Sequence, residues 1–192
     1  MKRQKPAAAD RVHWRRGVVG LLLLALALGC RSERSANALP DVEMPQVRGG
    51  TFRLRRQRQE LVLLAFLQTV PDTADTPSRR EVAFLLSMNH QYAARGLRAA
   101  IIDSSALVRN QQPTHEELIN ASYDWHLDIP LLEDRDNRIA SRLSVLQLPT
   151  MILIASDGSI SQRWQGVTAP AILAQGIEKQ FGQQFGKVRK TP

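Results

Sequence analysis

Apolar and polar positions alternate along this chain in blocks of two kinds. Leu61 to Leu67 (Leu-Val-Leu-Leu-Ala-Phe-Leu) is a continuous apolar run, the pattern of a central strand covered on both faces. A polar, proline-containing stretch from Gln68 to Ser78 follows. Arg79 to Arg95 then carries Val82, Phe84, Leu85, Met88 and Tyr92 at roughly helical spacing, with Gly96 where a helix-ending glycine belongs. Leu97 to Asp103 reads as a second strand. Pro113-Thr114-His115-Glu116-Glu117 opens another helix, with Thr114 as N-cap and Glu117 three residues on, as in a capping box. That helix should end near Trp125. Met151 to Ala155 is a third strand, Asp157-Gly158 a two-residue hairpin turn, and Ser159 to Trp164 the partner strand. Ala169 to Phe181 closes the domain as an amphipathic helix and leaves 182–192 as a basic C-terminal tail. This order predicts an α/β sandwich with a central mixed sheet flanked by helices.

The N-terminal part is patterned differently. Residues 1 to 16 are polar and basic, and an apolar run of 13 residues extends from Gly17 to Gly29. That suits the apolar core of a signal peptide and falls short of the ~20 residues a membrane-spanning helix needs. Residues 1–29 are therefore expected to be a signal peptide, its cationic flank held on the cytoplasmic side. Arg31 to Ala38 is polar and reads as a flexible tether, so the segments are 1–29, 30–38, a folded domain over 39–181, and the tail.

Charge changes this picture only by where it lies. The chain has 192 residues and a net charge of +8, with room for one domain plus a targeting segment. Before Cys30, six basic residues face Asp10 alone, giving +5. From Cys30 onward 20 basic residues face 17 acidic ones, giving +3. No basic stripe interleaved with aromatics marks the domain, and nucleic acid is excluded as a partner.

Ala27-Leu28-Gly29-Cys30 resembles the lipobox of bacterial lipoproteins, although Ala27 stands where Leu is usual and Leu28 where a small residue is usual. The resemblance implies cleavage before Cys30 and acylation of that residue. Several acyl chains give durable membrane attachment, which would place the domain in the bacterial cell envelope, facing the periplasm or exterior.

Within the domain, a set of short segments resembles the thioredoxin fold in its TlpA-like, redoxin version. Leu39-Pro40-Asp41-Val42 resembles that family's opening Ala-Pro-Asp-Phe. Gly49-Gly50-Thr51-Phe52-Arg53-Leu54 resembles its early hairpin, and Leu61 to Phe66 the strand before its active site. Ile129-Pro130-Leu131-Leu132 with Asp134 resembles its Phe-Pro-Val-Leu-x-Asp segment. Leu148-Pro149-Thr150, followed by Ile154, Asp157, Gly158 and Ile160, resembles its cis-proline loop and hairpin. The implied fold is a thioredoxin-like sandwich over about 39–181, with a cis bond before Pro149.

The departure from that family bears on function. Its active members carry Cys-x-x-Cys followed by Arg-x-Glu, and the helix N-terminus makes the first thiol a nucleophile. Arg79-Arg80-Glu81 resembles the Arg-x-Glu, which sets Asp75 and Ser78 on the two cysteine positions. The chain's single cysteine is Cys30. Neither Asp75 nor Ser78 can form a mixed disulfide, and a serine hydroxyl without a base is too weakly acidic to substitute as a nucleophile, so no catalytic residue is expected. Asp72, Asp75 and Ser78 are better read as turn and helix-capping residues than as a carboxylate site.

Other chemistry is sparse. His90, His115 and His126, with Met88 near His90, are scattered over two helices and a loop, not gathered as metal ligands. Ser104 and Ser105 follow a strand without a placed base, and Trp125 and Trp164 read as packing residues. No metal or other cofactor is expected. What the resemblance leaves is Leu148, Pro149 and Thr150, beside which thioredoxin-like proteins pair with extended peptides. The expected function is a membrane-tethered binding or assembly module for an extracytoplasmic protein or peptide. The alternative is a thiol-disulfide oxidoreductase that borrows a thiol from a partner or a small molecule such as glutathione. Mass spectrometry of the mature N-terminus should show an acylated Cys30, and an unmodified thiol there would contradict the lipobox reading.

Overall fold

The computed structural model describes residues 42–54, 60–71 and 76–188, the last five of these by backbone alone. The segments expected to be a signal peptide and a tether, together with Cys30 and Asp75, lie outside the described residues. Leu61–Leu67 forms a strand, β3, in which all seven residues are buried. An extended chain sends successive side chains to opposite faces, so an unbroken apolar run needs cover on both sides. The fold provides it. β4 (Leu97–Asp103) runs parallel to β3 in the register Leu61↔Leu97 through Leu67↔Asp103. β6 (Thr150–Ile154) runs antiparallel on the other flank, with Phe66 opposite Thr150. β5 (Leu131–Glu133) and β7 (Ile160–Gln165) complete a mixed five-stranded sheet in the order β5-β4-β3-β6-β7.

The two faces carry two cores. Leu61, Leu63, Ala65 and Leu67 point into the larger one, with Val82, Leu85, Met88, Tyr92, Trp125, Leu173, Ile177 and Phe181. Val62, Leu64 and Phe66 point into the smaller one, with Phe52 and Met44 from a two-stranded hairpin, β1 (Glu43–Pro45) and β2 (Thr51–Arg53). The helices are α1 (Pro77–Tyr92), α2 (Ala106–Arg109), α3 (His115–Asp124), α4 (Arg138–Arg142) and α5 (Pro170–Val188).

Most helix ends have a local chemical cause. α1 starts where Thr76 Oγ1 accepts the Arg79 N–H and Pro77 enters the first turn. It gives way to a 3₁₀ turn, Ala93–Arg95, that Gly96 closes at φ +95°, a conformation L side chains resist. The Thr114–Glu117 capping box is present at α3, and Trp125 is its C-cap. α4 has a less visible cap: Asp134, four residues upstream, accepts the N–H groups of Ile139 and Ala140.

Three expectations change. The strand after Pro149 begins at Thr150 and ends at Ile154. The hairpin loop holds three residues, Ser156 to Gly158: Gly158 N–H donates to Ala155 O and Ala155 N–H to Ser159 O, while Gly158 has φ +81°. This is the three-residue hairpin geometry, a turn followed by one left-handed residue. The closing helix passes Phe181 and reaches Val188, so the first part of the supposed 182–192 tail is helical. No proline interrupts 181–188, so the helix runs on through Gly182 and Gly186 despite their low helix propensity.

Leu63, fully buried at the centre of the larger core, tests this account. Leu63→Ala should cost about 3 kcal/mol in urea unfolding; a loss below ~1 kcal/mol would mean the sheet centre lies elsewhere.

Candidate functional site

The C-terminal end of β3, the start of α1 and the loop before β6 converge at one end of the sheet. Ser78, in the first turn of α1, is 3% exposed, and its Oγ accepts the Gln68 N–H at 2.9 Å. That bond ties the helix start to the residue after β3. In the loop before β6 the Leu148–Pro149 peptide is cis. Thr150 is buried, with its hydroxyl on Gln147 O at 2.7 Å. Pro149 O accepts the Gly166 N–H at 2.8 Å. Among the described residues, neither the N–H nor the C=O of Leu148 has a hydrogen-bond partner. Leu146, 87% exposed, and Val167, 49% exposed, flank this backbone.

Glu81 links the parts. Its carboxylate is fully buried one turn into α1, and Oε1 accepts the Thr168 N–H at 2.6 Å. The segment Gly166–Thr168 is thereby held to Pro149 at one end and to α1 at the other. Oε2 is buried without a partner. Burial pushes the Glu81 carboxyl above its usual range, against the lowering effect of the Thr168 N–H.

A second buried cluster fixes the loop leaving β3. Ser105 Oγ accepts the N–H groups of Thr69 and Val70, each at 2.9 Å, and donates to Asp103 Oδ1 at 2.5 Å. Thr69 Oγ1 donates to the same oxygen at 2.6 Å. Burial raises the Asp103 carboxyl, with the Ser105 and Thr69 bonds opposing it. Asp134 is likewise raised by burial, and the charge of Asp103 adds to that.

Of the residues singled out from sequence, the fold brings Ser78, Leu148, Pro149 and Thr150 to one end of the sheet; Asp75 and Cys30 lie outside the described residues. His90 is in α1, His115 opens α3 with Nδ1 3.8 Å from Glu133, and His126 sits in the turn after α3. Met88 is buried in the core. Among the described residues no three His, Cys, Asp or Glu side chains gather as metal ligands. Trp125 is core and Trp164 packs half-buried on its rim. Ser104 and Ser105 are fully buried rather than solvated. The roles of Glu81, Thr168, Thr69 and Asp103 went unread in the sequence. The available signals were an acidic residue beside Val82 on the inward face of a helix, and an aspartate closing an apolar strand.

Among the described residues the Ser78 hydroxyl has no hydrogen-bonded base of the kind that activates a serine nucleophile. What the arrangement offers is an exposed apolar rim around unpaired backbone.

This is a thioredoxin-like fold. A family model described as the AhpC/TSA family matches residues 36–163, and the chain belongs to that family; with a single cysteine, Cys30, it contains no Cys-x-x-Cys. Similar solved structures include a thiol:disulfide interchange protein DsbE of Chlorobium tepidum (18% identity, 76% of this chain and 96% of that one, TM-score 0.64). A thiol-disulfide oxidoreductase of Bacteroides fragilis matches at 22% identity, covering 74% and 98%, with TM-score 0.58. StoA of Bacillus subtilis matches at 14% identity, covering 73% and 98%, with TM-score 0.59. At these identities the likeness shows the fold. No curated protein sequence matches the chain significantly.

A carboxyl raised by burial binds its proton more tightly folded than unfolded. Its contribution to stability is complete below the ordinary carboxylate range and is lost as pH rises through the raised value. Thermal melts from mild acid to neutrality should show wild-type stability falling with pH, and Glu81→Gln falling less steeply. Parallel slopes would mean that Glu81 titrates normally.

Proposed function

We propose that this chain is an exported, lipid-anchored thioredoxin-like domain that works without thiol catalysis as a binding or assembly module. Cys30 fastens it to a membrane of the cell envelope, and Leu148, Pro149 and Thr150 receive an extended protein or peptide segment. The observation that carries the reading is the unpaired N–H and C=O of Leu148, beside a helix start where buried Ser78 stands in place of a thiol. An extended peptide laid along Leu148 would satisfy both backbone groups by β-addition, and Leu146 and Val167 would cover its side chains. Desolvating such an apolar rim adds favourable free energy to a backbone pairing that alone is modest.

No helix among the described residues is long and apolar enough to cross a membrane, and the proposed attachment is through lipid alone. Two of the similar solved structures are of a thiol:disulfide interchange protein and a thiol-disulfide oxidoreductase; here that activity would need a thiol from outside the domain.

The test is binding to an array of immobilised extended peptides. Leu146→Asp and Val167→Asp alter exposed side chains, so both variants should fold, and each should weaken peptide capture about tenfold, as loss of an apolar contact plus a charge at the rim implies. Undiminished capture by both folded variants would remove the proposed face. Reduction of insulin by dithiothreitol, accelerated above background by the protein, would favour the oxidoreductase instead.

A further inference from the structure

A groove of about 400 Å³ runs between β1 and the segment that leads into α4. Val42 to Pro45 form one wall, and Arg135, Arg138, Ile139 and Arg142 form the other. Its carboxylates are all engaged. Glu43 pairs with Arg53 at 2.8 Å, Glu133 holds Arg135 at 3.1 Å, and Asp134 is buried and caps α4. Arg138 and Arg142 stand one turn apart on α4, both exposed. Neither guanidinium has an ion pair or hydrogen bond among the described residues. Two cations at this spacing, facing the same groove, repel each other unless an anion lies between them.

Val42, the first described residue, lines the same groove. Cys30 lies twelve residues before Val42, so the covalent chain can carry Val42 at most about 40 Å from an acylated Cys30. Salt screens exposed charges beyond roughly 8–10 Å. A cationic face contributes to membrane contact only if the tether lets it approach that closely, and this face contains Val42, twelve residues along the chain from Cys30.

We propose that Arg138 and Arg142 form a docking surface for the phosphate headgroups of anionic lipids, orienting the anchored domain with α4 toward the membrane. Arginine suits this because its planar fork matches phosphate oxygens two at a time. The apolar wall of Val42 and Ile139 lies against the headgroup boundary. The peptide-binding end of the sheet is built from other residues and stays available. This orientation rests on the lipid anchor proposed for Cys30.

The experiment uses the full lipidated chain on vesicles of phosphatidylcholine alone or with phosphatidylglycerol. Phenylglyoxal modifies accessible guanidinium groups, and peptide mass spectrometry reads the rate at each arginine. On anionic vesicles Arg138 and Arg142 should react about fivefold more slowly, the size expected for one basic residue at an anionic surface. High salt should restore the rate. The Arg138→Gln/Arg142→Gln variant should fold, since neither side chain has a partner to lose, and its Arg135 should react equally fast on both vesicle types. Equal wild-type rates on both vesicles, or continued protection of Arg135 in the double variant, would overturn the proposal. So would the same slowing by inorganic phosphate on phosphatidylcholine vesicles, which would indicate a site for free anions. The same spectra report Cys30: an unmodified thiol identifies failure of the anchor, whereas acylated Cys30 with unchanged arginine rates overturns the docking surface alone.

Discussion

Seven consecutive apolar side chains from Leu61 to Leu67 project to both sides of one strand, and no single layer can cover them. That demand organises the domain. α1, α3 and α5 supply one cover, while the β1–β2 hairpin and α4 supply the other. Because β3 is central, its C-terminal end meets both the start of α1 and the end of the loop before β6. Ser78 on Gln68 and the pairing of Phe66 with Thr150 are the direct results.

Several polar groups at that end are satisfied by side chains rather than by strand pairing, although Glu81 Oε2 is buried without a partner. Ser105 accepts two N–H groups of the loop after β3 and passes a hydrogen bond to Asp103. Glu81 takes the N–H of Thr168. Buried groups of this kind are costly when unpaired and specify geometry when paired. The exception on the surface is Leu148, whose backbone keeps both valences open. In the function proposed above, a thioredoxin-like scaffold keeps a backbone edge for an extended chain while neither position aligned with the two cysteines, Asp75 or Ser78, carries a thiol. Recognition and chemistry are separable in this fold because they use different groups: a backbone edge for one, a polarised thiol for the other.

Three buried carboxylates, Glu81, Asp103 and Asp134, are raised by the same cause, loss of water. Each sits at a junction between elements. Each raised carboxyl contributes stability that is lost as pH rises, whereas Glu117 and Glu178, lowered by Thr114 and Arg95, contribute in the opposite sense.

Periodicity and local chemistry were enough to read β3, β4, the bulk of α1 and the Thr114–Glu117 cap, because each depends on neighbours in sequence. The mixed sheet followed from the order of those elements. Three features were out of reach of such reading. The extension of α5 to Val188 is permitted by composition but not demanded by it. The third loop residue of the β6–β7 hairpin depends on how two strands pair. The cap of α4 by Asp134 spans two left-handed residues, Asp136 and Asn137, which no local spacing rule describes. The site divides the same way. Sequence alone established that no second cysteine exists. Only the tertiary structure decided that Glu81 would be buried against Thr168, 87 residues away, and that Leu148 would be left unpaired. A residue's type is local, but the partners of a buried carboxylate or an open backbone group are fixed by chain segments that meet only on folding.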